Sequence, residues 1–99
     1  MTKKQILAMA IEVVADREGR YGNPSECLGR IAALWNNYLN LRSGELTSVD
    51  VATMMVLLKL GRLVGDPTCG DGWIDIAGYA GCGGELSVME SKDDRQISA

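Results

Sequence analysis

The segment TSVDVATMMVLLKLGRLVGDP, residues 47–67, decides the fold. Thr47 followed by Asp50 is a helix-start signature, because a threonine oxygen can accept one of the orphan N–H groups of a first turn. Val51 through Val64 is then dense in apolar residues, with only Lys59 and Arg62 charged. Gly65-Asp66-Pro67 ends the run, since glycine permits a left-handed cap and proline cannot continue the hydrogen-bond ladder. The pattern predicts a central helix that is apolar almost all round, as a helix surrounded by partners is. The roughly 20 apolar residues of a membrane span are not reached.

Helical spacing extends to both sides of this segment. From Lys3 to Glu18 the residues Ile6, Leu7, Ala10, Ile11, Val13 and Val14 recur at helical intervals, and Gly19 stands where a C-terminal cap is favoured. Asn23, Pro24 and Glu26 form a second start signal, with asparagine as cap, proline at the first helical position and glutamate completing a capping box. The helix that follows is expected to run to about Leu39. Leu28, Ile31, Ala32, Trp35, Tyr38 and Leu39 would form its buried stripe, with Arg30, Asn36 and Asn37 facing water. A fourth helix begins near Asp71, and its Gly78, Gly81, Gly83 and Gly84 lower helix propensity, so it ends there or continues to about Met89. Ser91 to Ala99 is polar without a core-facing pattern and is expected to be a mobile tail. The fold class is all-α: an antiparallel bundle of about four helices in one domain, residues 1–90, with a tail over 91–99.

Composition narrows the function classes. The chain has 99 residues, 46% of them hydrophobic, a net charge of -3 and no histidine. An acidic balance gives no field for a nucleic-acid backbone, so nucleic acid is not expected as a partner. Without histidine, and with Cys27, Cys69 and Cys82 outside C-x-x-C spacing, the usual zinc sites and histidine triads are excluded. Met1-Thr2-Lys3-Lys4 leads into an amphipathic helix rather than a signal peptide. The expectation is a soluble, cytoplasmic chain without a membrane partner. A small core and an apolar third helix point to a homo-oligomer.

One constellation carries chemistry. Asp71-Gly-Trp-Ile-Asp75 places two carboxylates one helical turn apart, able to share a hard cation such as Mg2+. Lys59 and Arg62, three residues apart on the preceding helix, offer a point charge and a planar fork for phosphate. If the two helices are antiparallel, these faces meet. The same residues could instead form an interhelical ion-pair network, with Asp71 as a helix cap and Asp75 paired to Lys59 or Arg62. Glu12 and Asp16, four residues apart, could add metal carboxylates from the first helix or lie on a solvated face. Arg17 could reach a phosphate and Tyr21 could stack on a base, or Tyr21 could pin its loop. The cysteines read as small hydrophobes or inert loop thiols.

The series Asp16-Arg17, Tyr21-Gly22-Asn23-Pro24, Ile31-Ala-Ala-Leu-Trp35, Tyr38-Leu39, Val51 to Lys59, Arg62 and Asp71-Gly-Trp-Ile-Asp75-Ile-Ala-Gly-Tyr79 resembles short phage and prophage proteins without an assigned function. It covers nearly the whole chain up to about residue 84. More distantly it is similar to all-α nucleoside triphosphate pyrophosphatases of the MazG and dUTPase-like kind. That resemblance implies an oligomeric helical bundle in the host cytoplasm that binds a nucleoside triphosphate through Mg2+ and can release pyrophosphate. Carried over by residue, it touches Asp71 and Asp75 as metal carboxylates and Lys59 and Arg62 as phosphate contacts. MazG-type chains carry E-x-x-E and E-x-x-D pairs on successive helices, whereas here Glu12 and Asp16 stand at spacing four and the third helix has no acidic pair in its interior. Two functions are therefore expected: a Mg2+-dependent nucleotide pyrophosphohydrolase, or a non-catalytic protein that binds or sequesters nucleotide. A small oligomeric scaffold is the third reading.

Overall fold

The computed structural model describes residues 1–91, and the expected tail lies outside them except for its first residue. Four α-helices and no strands occur among the described residues: α1 (Lys3–Tyr21), α2 (Pro24–Leu41), α3 (Ser48–Gly65) and α4 (Gly70–Ser91). The all-α expectation holds, and the arrangement is that of a helical bundle. No described helix is long and apolar enough to cross a membrane.

The caps follow local chemistry, with instructive shifts. Thr47 and Asp50 form the expected reciprocal capping box of α3. Asn23 caps α2 through the Ser25 N–H at 2.8 Å, and Pro24 opens the helix, but no capping box through Glu26 forms. Thr2 and Gln5 make a capping box on α1 that the sequence reading did not identify. Gly19 is not the end of α1; the helix continues to Tyr21 and stops at Gly22, whose φ of 82° is the left-handed conformation glycine favours. Gly65 likewise lies inside α3, and the cap falls on Asp66 with φ -145°, so its glycine serves another purpose. A β-carbon there would stand 2.8 Å from the Tyr21 carbonyl oxygen, and the missing side chain is what lets the ends of α1 and α3 touch. The four glycines of α4 do not interrupt it. Gly83 instead admits α3, with a β-carbon there falling 3.1 Å from that of Ala52.

α3 is the central element and packs against the other three helices. Trp35 donates to the Met54 carbonyl at 2.8 Å, and Arg30 Nε to the Gly61 carbonyl at 3.3 Å, so α2 and α3 run antiparallel. The α3–α4 pair is antiparallel too, because Gly83 approaches Ala52 at one end and Gly72 approaches Leu63 at the other. Buried Asp50 joins α2 to α3: it accepts from the Tyr38 hydroxyl at 2.5 Å and the Thr47 N–H at 2.7 Å, and pairs with Arg42 at 2.8 Å.

Three expectations for the core need correction. Ile31 is buried and Trp35 and Tyr38 are half-buried, whereas Leu28, Ala32 and Leu39 are exposed. Arg30 does not face water: it is half-buried, and its Nη2 has no hydrogen-bond partner among the described residues. The largest surprise is α1, in which every residue before Tyr21 is exposed although the sequence gives it a core-facing stripe.

Candidate functional site

The site is assembled at one end of the bundle, where α1 stops, α3 stops and α4 starts. Lys59 and Arg62 occupy one face of α3 because they are three residues apart, and buried Leu63 beside them anchors that turn. Gly72 lets α4 close onto Leu63: a β-carbon there would lie 2.9 Å from Leu63 Cδ2. That approach brings Asp75, one turn on from Asp71 in α4, against Lys59 of α3. Lys59, Arg62, Asp71 and Asp75, with Tyr21, Cys69, Leu63 and Gly72, line a single cavity of about 30 Å3.

Each charge has a defined setting. Lys59 Nζ and Asp75 Oδ2 are 3.0 Å apart. Asp71 lies in the first turn of α4 rather than capping it. Arg62 makes no carboxylate pair among the described residues; its guanidinium carbon sits 5.7 Å from the centroid of the Tyr21 ring, a cation–π distance that leaves donors of the fork available. Tyr21 therefore both pins the loop and presents Arg62. Its hydroxyl lies 3.6 Å from Cys69 Sγ. That hydrogen bond raises the tyrosine pKa, with burial adding to it, and lowers that of Cys69, which backbone N–H groups of Gly72 and Asp71 lower further.

Cys69 is the residue that sequence reasoning missed, having been read only as a hydrophobe or an inert thiol. Its sequence signal was its place immediately before Gly70-Asp71-Gly72, where the first N–H groups of a helix point outward. Cys27 is buried and Cys82 exposed, and neither is in a disulfide.

Arg17 belongs to a neighbouring pocket of about 200 Å3 between α1 and α2, lined also by Val14, Pro24, Cys27 and Leu28. Tyr21 and Arg62 line both spaces and so connect them. Glu12 and Asp16 do not enter either one. Both are exposed, and Asp16 pairs with Arg20 at 3.3 Å, a surface ion pair of small energetic weight.

Among the described residues no group of three or more histidine, cysteine or acidic side chains is placed to hold a metal ion by itself. Asp71 and Asp75 thus do not make a protein cage for a cation. They are two acidic groups on the cavity wall, of which Asp75 is paired with Lys59.

The fold and this junction define an all-helical protein with a paired acidic and basic cleft. The chain belongs to a family described as a domain of unknown function, DUF6378, whose model matches residues 5–87. It is 40% identical over 92 residues to the Gene 55 protein of Mycobacterium phage L5, covering 92% of this chain and 56% of that protein. It is also 40% identical over 67 residues to the Gene 55 protein of Mycobacterium phage D29, covering 68% of this chain and 42% of that one. The chain thus spans about half the length of the curated relatives it matches. No solved structure matches it.

Proposed function

We propose that this chain binds a nucleoside triphosphate, as a Mg2+ complex, at the junction of α1, α3 and α4. The observation carrying this reading is the convergence of Lys59, Arg62, Tyr21, Asp71 and Asp75 from three helices on one cavity. Arg62 supplies a fork for phosphate oxygens and Lys59 a compact charge that Asp75 holds in place. A space of about 30 Å3 accommodates a water or a phosphate oxygen, not a nucleoside. The adjoining 200 Å3 pocket is the place for the base, with Tyr21 and Arg62 between the two parts and Arg17 at its edge. Asp71 and Asp75 would hold the metal's protein side. A MazG-like oligomer in the cytoplasm of a bacterial host is the setting that fits this reading.

A second reading, release of pyrophosphate from the bound nucleotide, is favoured by one observation: both carboxylates face the same cavity as the two cations. Bound magnesium would supply Lewis-acid polarisation and a water of lowered pKa. Lys59 and Arg62 would neutralise charge on the phosphates as the bond breaks.

Incubation of the protein with mixed ribo- and deoxynucleoside triphosphates and Mg2+, followed by ultrafiltration and chromatography, tests both. Retention of intact triphosphate, lost in Arg62→Gln, is the result expected for binding. Monophosphate and pyrophosphate that disappear with Asp75→Asn would establish hydrolysis. An untouched, unretained pool contradicts both and leaves the scaffold reading.

A further inference from the structure

The 200 Å3 pocket between α1 and α2 has walls of two kinds. Val14, Pro24, Cys27 and Leu28 give it apolar flanks, while Tyr21 and Arg62 mark the side that meets the phosphate cavity. Its remaining charged lining is Arg17 and Glu18, neighbours on α1 that the helix turns about 100° apart. Neither is engaged inside the fold: the ion pairs among the described residues join Asp16 to Arg20, Arg42 to Asp50 and Lys59 to Asp75. Glu18 also stands in the last turn of α1, where unpaired carbonyls disfavour an anion, so its carboxylate does not serve the helix. Both side chains are exposed and free to turn towards a ligand at the pocket rim.

We infer that the base held in this pocket is guanine, read by Glu18 and Arg17; the inference rests on the nucleotide-binding reading above. A carboxylate only accepts hydrogen bonds and a guanidinium only donates them, and each can do so in pairs. Among the common bases guanine alone offers a matching pair to both. Its N1–H and 2-amino group stand side by side for the carboxylate, and its O6 and N7 stand side by side for the fork. These two edges adjoin on the ring, as Arg17 and Glu18 adjoin on the helix. Adenine, cytosine, uracil and thymine put an acceptor beside every donor, so a carboxylate that takes the donor brings its second oxygen against a lone pair. Packing of the base's flat faces on the apolar flanks adds affinity without telling one base from another. Selection of guanine is thus separate from the phosphate contacts of Lys59 and Arg62.

Isothermal titration of GTP, ATP, CTP and UTP, each with Mg2+, into the full chain tests the assignment. Two analogues join them: inosine triphosphate, which lacks the 2-amino group, and 7-deazaguanosine triphosphate, which lacks N7. GTP should bind at least about 10-fold more tightly than the other three common nucleotides, the discrimination that one bidentate pair supplies. Each analogue should fall several-fold below GTP in the unaltered chain. In Glu18→Gln the ratio of GTP to inosine triphosphate affinity should close to about 1 while the ratio of GTP to the 7-deaza analogue persists, and in Arg17→Met the reverse should hold. A general disturbance of the pocket does not produce that crossed pattern, and both residues are exposed, so their replacement leaves the bundle folded. Equal affinity for all four nucleotides, preference for another base, or ratios that survive both substitutions overturns the guanine assignment while the phosphate site stands. Absence of binding by every triphosphate overturns both.

Discussion

Gly65→Ala separates the stability of the bundle from the geometry of the site. A β-carbon at residue 65 would stand 2.8 Å from the Tyr21 carbonyl oxygen, 2.9 Å from its Cα and 3.1 Å from its carbonyl carbon. All three are backbone atoms, so no side-chain rotation relieves the clash, and the end of α1 must move by roughly 0.5 Å or more to restore ordinary contact. Overpacking costs about 1–3 kcal/mol where neighbours are fixed, and alanine returns about 0.5–1 kcal/mol over glycine in a helix. Because residues 1–20 are exposed, α1 yields without disturbing the α2–α3–α4 core. The net change in stability is then within about 1 kcal/mol, a Tm shift of no more than ~8 °C for a domain of this size. The Tyr21 hydroxyl, however, leaves Cys69. The thiol is held below its ordinary pKa of 9.0 first of all by that hydrogen bond, so in Gly65→Ala its pKa should move back up. Circular dichroism reports the melting, and the pH dependence of Cys69 alkylation in a Cys82→Ser background reports the thiol. A thiol pKa that stays depressed, or a loss of cooperative melting, refutes the reasoning.

Other substitutions give contrasting outcomes. Gly61→Ala places a β-carbon 2.7 Å from Ile31 Cγ1 inside the core, so it should destabilise the bundle by about 1–2 kcal/mol while leaving the Cys69 pKa unchanged. Trp35→Phe removes the bond to the Met54 carbonyl and should cost about 1–2 kcal/mol in urea unfolding. Asp50 is held below its ordinary pKa of 3.8 chiefly by Tyr38, then by the Thr47 N–H. Its contribution to stability is therefore present above that pH and fades as the pH falls through the lower folded value. In Asp50→Asn, melting should be weaker at neutral pH and flatter between pH 5 and 2; an unchanged acid limb would remove Asp50 from the account.

The helices were legible because each carried a local signal, as Thr47 with Asp50 and Asn23 with Pro24 show. The glycines were not, since their meaning is set by what approaches them. Gly19 looks like a cap but lies within α1, and Gly65 looks like a cap but is a contact with Tyr21. The burial of α2 was misjudged at Leu28 and Leu39 because periodicity names an apolar face without saying how much of it a neighbour covers. At the site, the spacings of Lys59 with Arg62 and Asp71 with Asp75 were enough to place four residues together once the helices proved antiparallel. Spacing gave no means to see that Tyr21, far away in sequence, would sit over Arg62 and bond Cys69. Glu12 and Asp16 share a chain with that cleft but not a location.

The most direct measurement is isothermal titration of a nucleoside triphosphate with Mg2+ into the full chain, beside Arg62→Gln and a surface control, Glu85→Gln. Arg62 offers donors to phosphate and has no competing carboxylate among the described residues, so its loss should weaken binding at least about 10-fold while the control binds as the unaltered chain does. No heat of binding for any common ribo- or deoxynucleoside triphosphate, or equal affinity in Arg62→Gln, would contradict a phosphate site at this junction.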